Sequence, residues 1–220
     1  MRTIAIIIMC LLCAAVQAGD KKKKKSTDGP CCRVYLKDGT THEGYIQNWF
    51  DTTTDQVRLQ DYDAKLFAKS KKWKEELVDS VVTWIEDCPT IRITWVPLKA
   101  KLCYIGQEEV PSTHRIFMAH VFKGRNVSFF HVEDRYFGNR VAYYAPWMDE
   151  AHVIFKENGK LTDKRRATLL EEFRDYPTMV NFINRMEKDD LKKNFLAFFI
   201  RLDEAMGEAH PKKTETTTQQ

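Results

Sequence analysis

The stretch VYLKDGTTHEGYI, residues 34 to 46, is typical of two short β-strands joined by a tight turn. Apolar and polar residues alternate on both sides of the turn, and Asp38-Gly39 supplies the positive φ angles that a hairpin requires. The alternation continues after this hairpin through the segments DQVRLQD, DSVVTWIED, TIRITWV and LKAKLCYI. Short strands at this spacing need closure or a second layer to cover their edges. The sequence therefore predicts a small β-barrel over residues 31–105.

The N-terminus has the pattern of a secretory signal peptide. Residues 1–18, MRTIAIIIMCLLCAAVQA, combine Arg2, an apolar run and small residues before a cut after Ala18. The apolar run is shorter than the roughly 20 residues that a bilayer-spanning helix needs. We therefore expect export to the periplasm or the cell surface, with no transmembrane segment after cleavage. Residues 19–30 form a charged linker, and its run Lys21–Lys25 is first interpreted as a solvated spacer. Attraction of this run to anionic head groups or polysaccharide is the alternative.

Charge limits the partners of the folded part. The chain has 43% hydrophobic and 30% charged residues and a formal net charge of +4. Without the lysine run the net charge is slightly negative, so nucleic acid is not expected as a partner.

Four cysteines follow the predicted cleavage site: Cys31, Cys32, Cys88 and Cys103. Adjacent strand residues point to opposite faces, so a bond between the first two would be strained. If TIRITWV and LKAKLCYI form a hairpin centred on Val96–Pro97, a shifted register would pair Cys88 with Cys103. If the barrel closes with its first strand beside its last, Cys31 or Cys32 reaches Cys103 instead. We expect at least one disulfide among the four cysteines.

Residues 106–160 predict an antiparallel β-meander. Four segments alternate and are rich in aromatic residues: HRIFMAHVF, VSFFHVE, RVAYYA and AHVIFKENGKL. The pairs Phe129–Phe130 and Tyr143–Tyr144 put one ring on each face of the sheet. Coverage of one face by helices is the first interpretation of these rings. A recognition surface for an envelope glycan or protein partner is the alternative, with Tyr136, Tyr144 and Trp147 as candidates.

Residues 161–206 predict a cap of three helices. The first follows Thr162, the second begins at Pro177, and Asp189 or Asp190 begins the third. The helical pattern ends before residues 207–220, which have the composition of a disordered tail.

Two segments carry resemblances to known proteins. LKDGTTHEGYI resembles the first hairpin of Sm-like and SH3-like barrels, with Gly44 as the mid-strand glycine. Residues 31–205 are similar to uncharacterised exported proteins of Gram-negative bacteria, in which a YY strand precedes a helix ending in F-x-D-x-P, here Phe173, Asp175 and Pro177. The expected fold class is α+β: a small N-terminal SH3/Sm-like β-barrel, an antiparallel β-meander and a C-terminal three-helix cap. The second resemblance implies export but no activity.

The sequence contains no familiar catalytic motif. Nucleophile elbows, H-E-x-x-H, P-loops and dinucleotide fingerprints are all missing, so no catalytic residue and no cofactor are predicted. His114 and His120 share a strand face, and His131 with Glu133 share a face of the next strand. Imidazoles with a carboxylate can hold zinc, so these four residues are the candidate metal ligands.

The preferred interpretation is an exported, non-enzymatic envelope protein that acts as a binding or interaction module. A metal-dependent hydrolase using the strand histidines is one alternative. A structural subunit, with barrel edges pairing between chains, is another; the oligomeric state stays open. If the chain is made in a eukaryotic secretory pathway, Asn126 of Asn-Val-Ser would be a glycosylation acceptor.

Overall fold

The structure is a computed structural model that describes residues 30–62, 64, 69–102, 110–134, 138–156 and 160–210. The predicted signal peptide, the charged linker up to residue 29 and the tail from residue 211 lie outside these ranges. Within the described ranges, twelve strands form one mixed sheet in the order β4-β3-β2-β1-β5-β6-β9-β10-β11-β12-β7-β8. Four α-helices follow the strands in the chain.

The strands are β1 (Cys31–Leu36), β2 (Thr41–Ile46), β3 (Gln56–Gln60), β4 (Lys71–Lys74), β5 (Val78–Ile85), β6 (Cys88–Leu98), β7 (Ala100–Leu102), β8 (Val110–Pro111), β9 (Ile116–Lys123), β10 (Ser128–Val132), β11 (Arg140–Tyr144) and β12 (Ala151–Lys156). The helices are α1 (Asp163–Glu172), α2 (Pro177–Arg185), α3 (Asp190–Lys193) and α4 (Phe195–Ala209). A single 3₁₀ turn, Glu75–Leu77, leads into β5.

The first hairpin forms as its sequence predicts. Gly39 has a φ of 86°, a value that L-residues with a Cβ rarely adopt. The Asp38 carboxylate accepts hydrogen bonds from the Thr40 N–H at 2.8 Å and the Thr40 hydroxyl at 2.6 Å. In β2, a Cβ on Gly44 would collide with the Gln60 carbonyl of β3. Gly44 therefore allows the close approach of two neighbouring strands.

The predicted small barrel does not form. The first five strands lie side by side, but β5 continues the sheet to β6 instead of closing it. The 11-residue β6 extends past the end of β5 and pairs with β9 along its second half. This pairing places Phe117 and Ala119 of β9 in the apolar cluster that β1, β3 and β5 share. Residues of the later strand β9 thus complete the core of the first strands, and the sheet stays open. The SH3/Sm-like barrel prediction is therefore wrong.

The predicted hairpin at Val96–Pro97 is also wrong. Pro97 lies within β6, opposite Phe117 of β9. After Lys99 the chain continues as β7, which pairs in parallel with β12 and antiparallel with β8. The consecutive strands β6 and β7 therefore border the two edges of the meander, β6 beside β9 and β7 beside β12. The apolar residues that the meander, β6 and β7 share form a separate core cluster: Ala100, Ile116, Met118, Phe130, Val132, Ala142, Ala151 and Val153.

The β-meander is confirmed, since β9, β10, β11 and β12 pair consecutively and antiparallel. The paired aromatic residues point to opposite faces, as their spacing predicts. Phe129 and Tyr143 pack with the helices, whereas Phe130 and Tyr144 belong to the cluster on the other face. Coverage by the C-terminal helices is therefore correct for one face of the meander.

The helical segment differs from the three-helix prediction in two places. Thr162 caps α1 by accepting a hydrogen bond from the Arg165 N–H at 3.3 Å, and Pro177 is the first residue of α2. The predicted third helix is interrupted at Asn194, which has a φ of −141° and a ψ of 55°. It is therefore the separate helices α3 and α4, and the second ends at Ala209, beyond the expected boundary. None of the helices in the described ranges is long and apolar enough to cross a membrane.

Asp203 attaches α4 to the turn between β9 and β10. Its carboxylate accepts hydrogen bonds from the backbone N–H groups of Arg125, Asn126 and Val127 at 3.0, 2.7 and 2.9 Å. The Asn126 side-chain amide donates to the Asp203 carbonyl at 2.9 Å. The nitrogen that would carry a glycan thus takes part in the attachment of α4.

Candidate binding surface

A row of four side chains, two of them aromatic, crosses four neighbouring strands on the face opposite the first core cluster. Cys31 of β1 lies between Tyr45 of β2 and Trp84 of β5, and Trp84 lies opposite Arg92 of β6. Side chains of directly paired residues point to the same face of a sheet. We call these four residues, together with Tyr62 beside Tyr45, the aromatic row.

Each ring of the aromatic row contacts a neighbouring side chain of the row. Tyr62 packs edge-on against Tyr45, with ring centroids 4.9 Å apart and an interplanar angle of 86°. The Arg92 guanidinium lies 5.7 Å from the centre of the Trp84 ring. Tyr62 is 41% exposed, whereas Tyr45 and Trp84 are half-buried. Since adjacent strands are about 4.8 Å apart, Tyr45 and Trp84 are separated by roughly 10 Å.

Cys31 lies between Tyr45 and Trp84 and is only 4% exposed. Burial raises the pKa of the Cys31 thiol, and the charge of Glu86 adds to this, against the lowering effect of a hydrogen bond with Tyr62. On the opposite face, burial raises the pKa of Cys32 to about 12. Both thiols are therefore protonated at neutral pH and are poor nucleophiles.

Charged side chains surround the aromatic row unevenly. Arg33 forms an ion pair with Glu43, and Lys71 pairs with Asp61 at 2.9 Å. On the same face as Tyr45, Arg58 of β3 lies opposite Lys72 of β4, and both are exposed. Like charges directly opposite each other destabilise a sheet. The β3–β4 end of the aromatic row is thus the positive end.

The four candidate metal ligands do not meet in one place. His120 lies opposite Phe130, and His131 lies opposite Ala119, so the two imidazoles occupy opposite faces of the sheet. His114 lies before β9 and contacts the Thr113 hydroxyl at 3.2 Å, while Glu133 accepts a hydrogen bond from the Trp49 indole. Across the ranges that the structure describes, no three His, Cys, Asp or Glu residues are grouped to hold a metal.

Two of the three aromatic candidates of the meander, Tyr144 and Trp147, do not form one surface. Tyr144 is half-buried against the cluster of Phe130 and Val132. Trp147 is 40% exposed, but its ring lies 4.5 Å from that of His210 at the end of α4. Tyr136 lies outside the described residues. Tyr144 and Trp147 therefore belong to different parts of the molecule.

The cysteine geometry supports one part of the disulfide prediction. Cys31 and Cys32 point to opposite faces as expected, since Cys32 belongs to the first core cluster and Cys31 to the aromatic row. Cys31, Cys32 and Cys88 are free thiols. Cys103 lies outside the described residues, so a bond to it stays a prediction.

A second group of ionisable side chains lies between α1 and the sheet. The Glu172 carboxylate accepts hydrogen bonds from the Tyr143 hydroxyl at 2.6 Å and from His152 Nδ1 at 2.7 Å. Burial acts to raise the pKa of Glu172, but these hydrogen bonds and the nearby charges of His152 and Lys101 outweigh it and lower the pKa. The arrangement fixes α1 on β11 and β12.

A cavity of about 220 Å³ lies beside the turn between α1 and α2. Its lining comes from that turn and from α4: Asp175, Tyr176, Pro177, Thr178, Ala205, Glu208 and Ala209. Small-molecule sites usually occupy about 300–1,000 Å³. Glu208 is already engaged by the Thr178 hydroxyl at 2.7 Å. The cavity therefore has neither the usual volume nor a convergent set of reactive groups.

Comparison with known proteins gives no family: no protein-family model, no curated protein and no solved structure matches this chain. The similarity to exported bacterial proteins accordingly stays a prediction.

The sequence interpretation overlooked the aromatic row because each of its members comes from a different segment. Tyr45, Cys31, Trp84 and Arg92 follow no shared motif and span more than sixty positions of the chain. The only local signal is that each occupies the outward position of an alternating strand. Strand order and register are needed to bring them together.

Proposed function

We propose that this protein is an exported, non-enzymatic binding module that holds glycan chains on the aromatic row. The observation that carries the proposal is the placement of Tyr45 and Trp84 on one face, two strands apart, with the small Cys31 between them. Sugar rings have an apolar face that stacks on aromatic rings, and their hydroxyl groups need polar partners at the rim.

The dimensions of the aromatic row match this kind of ligand. The separation of roughly 10 Å between Tyr45 and Trp84 is close to the length of a disaccharide in an extended chain. The Tyr62 hydroxyl, Arg92 and the exposed Arg33–Glu43 pair surround the rings with hydrogen-bonding groups. A surface rather than an enclosed cavity suits a polymer that continues beyond the contact on both sides.

The two alternative functions receive less support from the geometry. A metal-dependent hydrolase needs its ligands together, and His120 and His131 occupy opposite faces. A structural subunit would pair its sheet edges between chains, but the β4 edge carries Lys71, Lys72 and Lys74. Lysines on an edge strand oppose such pairing.

The proposal is tested by binding of the mature protein to immobilised cello-, chito-, xylo- and galacturonate oligosaccharides. We expect Trp84→Ala to lower the affinity for whichever oligosaccharide binds by roughly ten-fold or more, since it removes a stacking ring. Trp147→Ala is the matched control, because it deletes an exposed indole away from the aromatic row. Binding to none of the four classes, or equal binding by both variants, would contradict the proposal.

A further inference from the structure

From the distribution of charge around the aromatic row, we infer that the bound glycan is acidic and that its anionic group lies at the β3–β4 end. This inference rests on the proposed glycan-binding function. It assigns Arg58 and Lys72 as the residues that select a carboxylated or sulfated sugar over a neutral one.

The position of the two cations follows from the strand register. Tyr45 of β2 pairs with Gln60 of β3, and Arg58 lies two residues from Gln60, on the same face. Lys72 of β4 lies directly opposite Arg58, and Lys74 lies opposite Gln56 on the same side. The three cationic side chains therefore share the face of Tyr45 on two strands, displaced along β3 and β4 from the position opposite Tyr45.

Two neighbouring cations are already paired with carboxylates. Arg33 pairs with Glu43, and Lys71 pairs with Asp61. At the far end, Arg92 lies over Trp84, and Glu86 is close enough to Cys31 to raise the pKa of its thiol. The excess positive charge is thus concentrated beside Tyr45 and not beside Trp84.

The opposition of Arg58 and Lys72 has a cost that an anionic ligand would remove. Two like charges facing each other across a strand pair repel, and a bound carboxylate or sulfate would turn this repulsion into two attractions. The lysines of β4 also discourage edge pairing. Protection of the sheet edge requires positive charge on the edge strand β4, but it does not explain Arg58 on the inner strand β3.

The test compares a galacturonate hexamer with cellohexaose, an uncharged oligomer of the same number of sugars. We expect the mature wild-type protein to bind the galacturonate hexamer more tightly, with an affinity that falls as salt is raised. The double variant Arg58→Gln/Lys72→Gln should lose roughly ten-fold of its galacturonate affinity and keep its cellohexaose affinity. Lys192→Gln/Lys193→Gln on α3 is the control, since it removes the same charge from an exposed helix away from the aromatic row.

Two outcomes separate this inference from the proposed function. The inference is overturned if the two hexamers bind equally, or if the double variant binds galacturonate as tightly as the wild type does. The proposed function still holds in either case, provided that binding depends on Trp84. Tighter binding of a single-stranded oligothymidylate than of either hexamer overturns both, because the surface would then be a nucleic-acid platform. Circular dichroism of each variant shows whether the fold is retained.

Discussion

Glu172 joins α1 to the sheet through two hydrogen bonds, and its ionisation links that contact to pH. The hydrogen bonds from Tyr143 and His152 hold its pKa below the ordinary value of 4.5 despite burial. In the pH range between the folded and unfolded pKa values, the unfolded chain binds more protons. The stabilisation from Glu172 is therefore present at neutral pH and is lost as the pH falls through its folded pKa.

We expect Glu172→Gln to lower the free energy of unfolding at neutral pH and to flatten its decline on acidification. Urea unfolding at a series of pH values from neutral to below 4.5 measures both effects. Glu171→Gln is the matched control, because Glu171 is exposed and pairs only with Arg174 of the same helical segment. An identical pH dependence in wild type and Glu172→Gln would show that this carboxylate does not contribute as its contacts indicate.

At the scale of single residues, turn and capping positions were predictable from sequence, whereas the partners of Glu172 were not. Gly39 and Pro177 act through their own backbone angles, which are local properties. Glu172 lies 29 positions from Tyr143 and 20 from His152. Only the packing of a helix on the sheet brings these three side chains together.

The side chain of Asp203 holds helix α4 on the β9–β10 turn, together with the Asn126 amide. Its carboxylate satisfies three consecutive backbone N–H groups, and removing it would leave all three without that acceptor. We expect Asp203→Ala to lower the free energy of unfolding by roughly 2–3 kcal/mol.

Glu204→Ala provides the comparison on the same helix. Glu204 is exposed and pairs with Arg201 across one turn, so its removal should change stability by no more than about 0.5 kcal/mol. Urea unfolding monitored by circular dichroism measures both variants. If the Asp203 and Glu204 variants unfold at the same urea concentration, the attachment of α4 does not depend on this carboxylate.

At the scale of elements, the periodicity of apolar residues predicted where most helices and strands lie, but it did not predict which strands pair. The helical spacing of Leu191, Phe195 and Phe198 suggested one continuous helix, but the chain breaks at Asn194. Asparagine side chains compete for backbone hydrogen bonds and favour helix ends. Periodicity reports which face is apolar, and α3 and α4 keep their apolar residues on the core side in spite of the break.

Strand β9 connects the three apolar clusters that the described residues form. Phe117 and Ala119 belong to the cluster of the first strands, and Ile116 and Met118 belong to the cluster inside the meander. Phe122 packs against the cluster beneath the helices. Because a single strand contributes to all three, loss of any cluster should destabilise the others.

We expect the described part of the chain to unfold in one cooperative transition. In a Trp147→Phe background the remaining tryptophans, Trp49, Trp73, Trp84 and Trp95, all report on the first strands. Their fluorescence in urea should change together with far-UV circular dichroism, which includes the helices. Phe117 packs against Phe50 and is distant from the helices in the sequence. Phe117→Leu should therefore move the fluorescence and circular dichroism transitions to lower urea by the same amount. Two separate transitions would show that the helices and the first strands are independent units.

The sequence by itself determined the local structure of this protein. Alternation located most of the strands, Asp38-Gly39 determined the first turn, and helical spacing located the C-terminal segment, because each depends on residues a few positions apart. The tertiary structure alone decided that β6 runs through Pro97 to pair with β9, and that Tyr45, Cys31, Trp84 and Arg92 share a face. Strand order and register are set by contacts between residues distant in the chain, where many pairings satisfy the same alternation. A binding surface assembled from one residue per strand therefore becomes visible only when the sheet is complete.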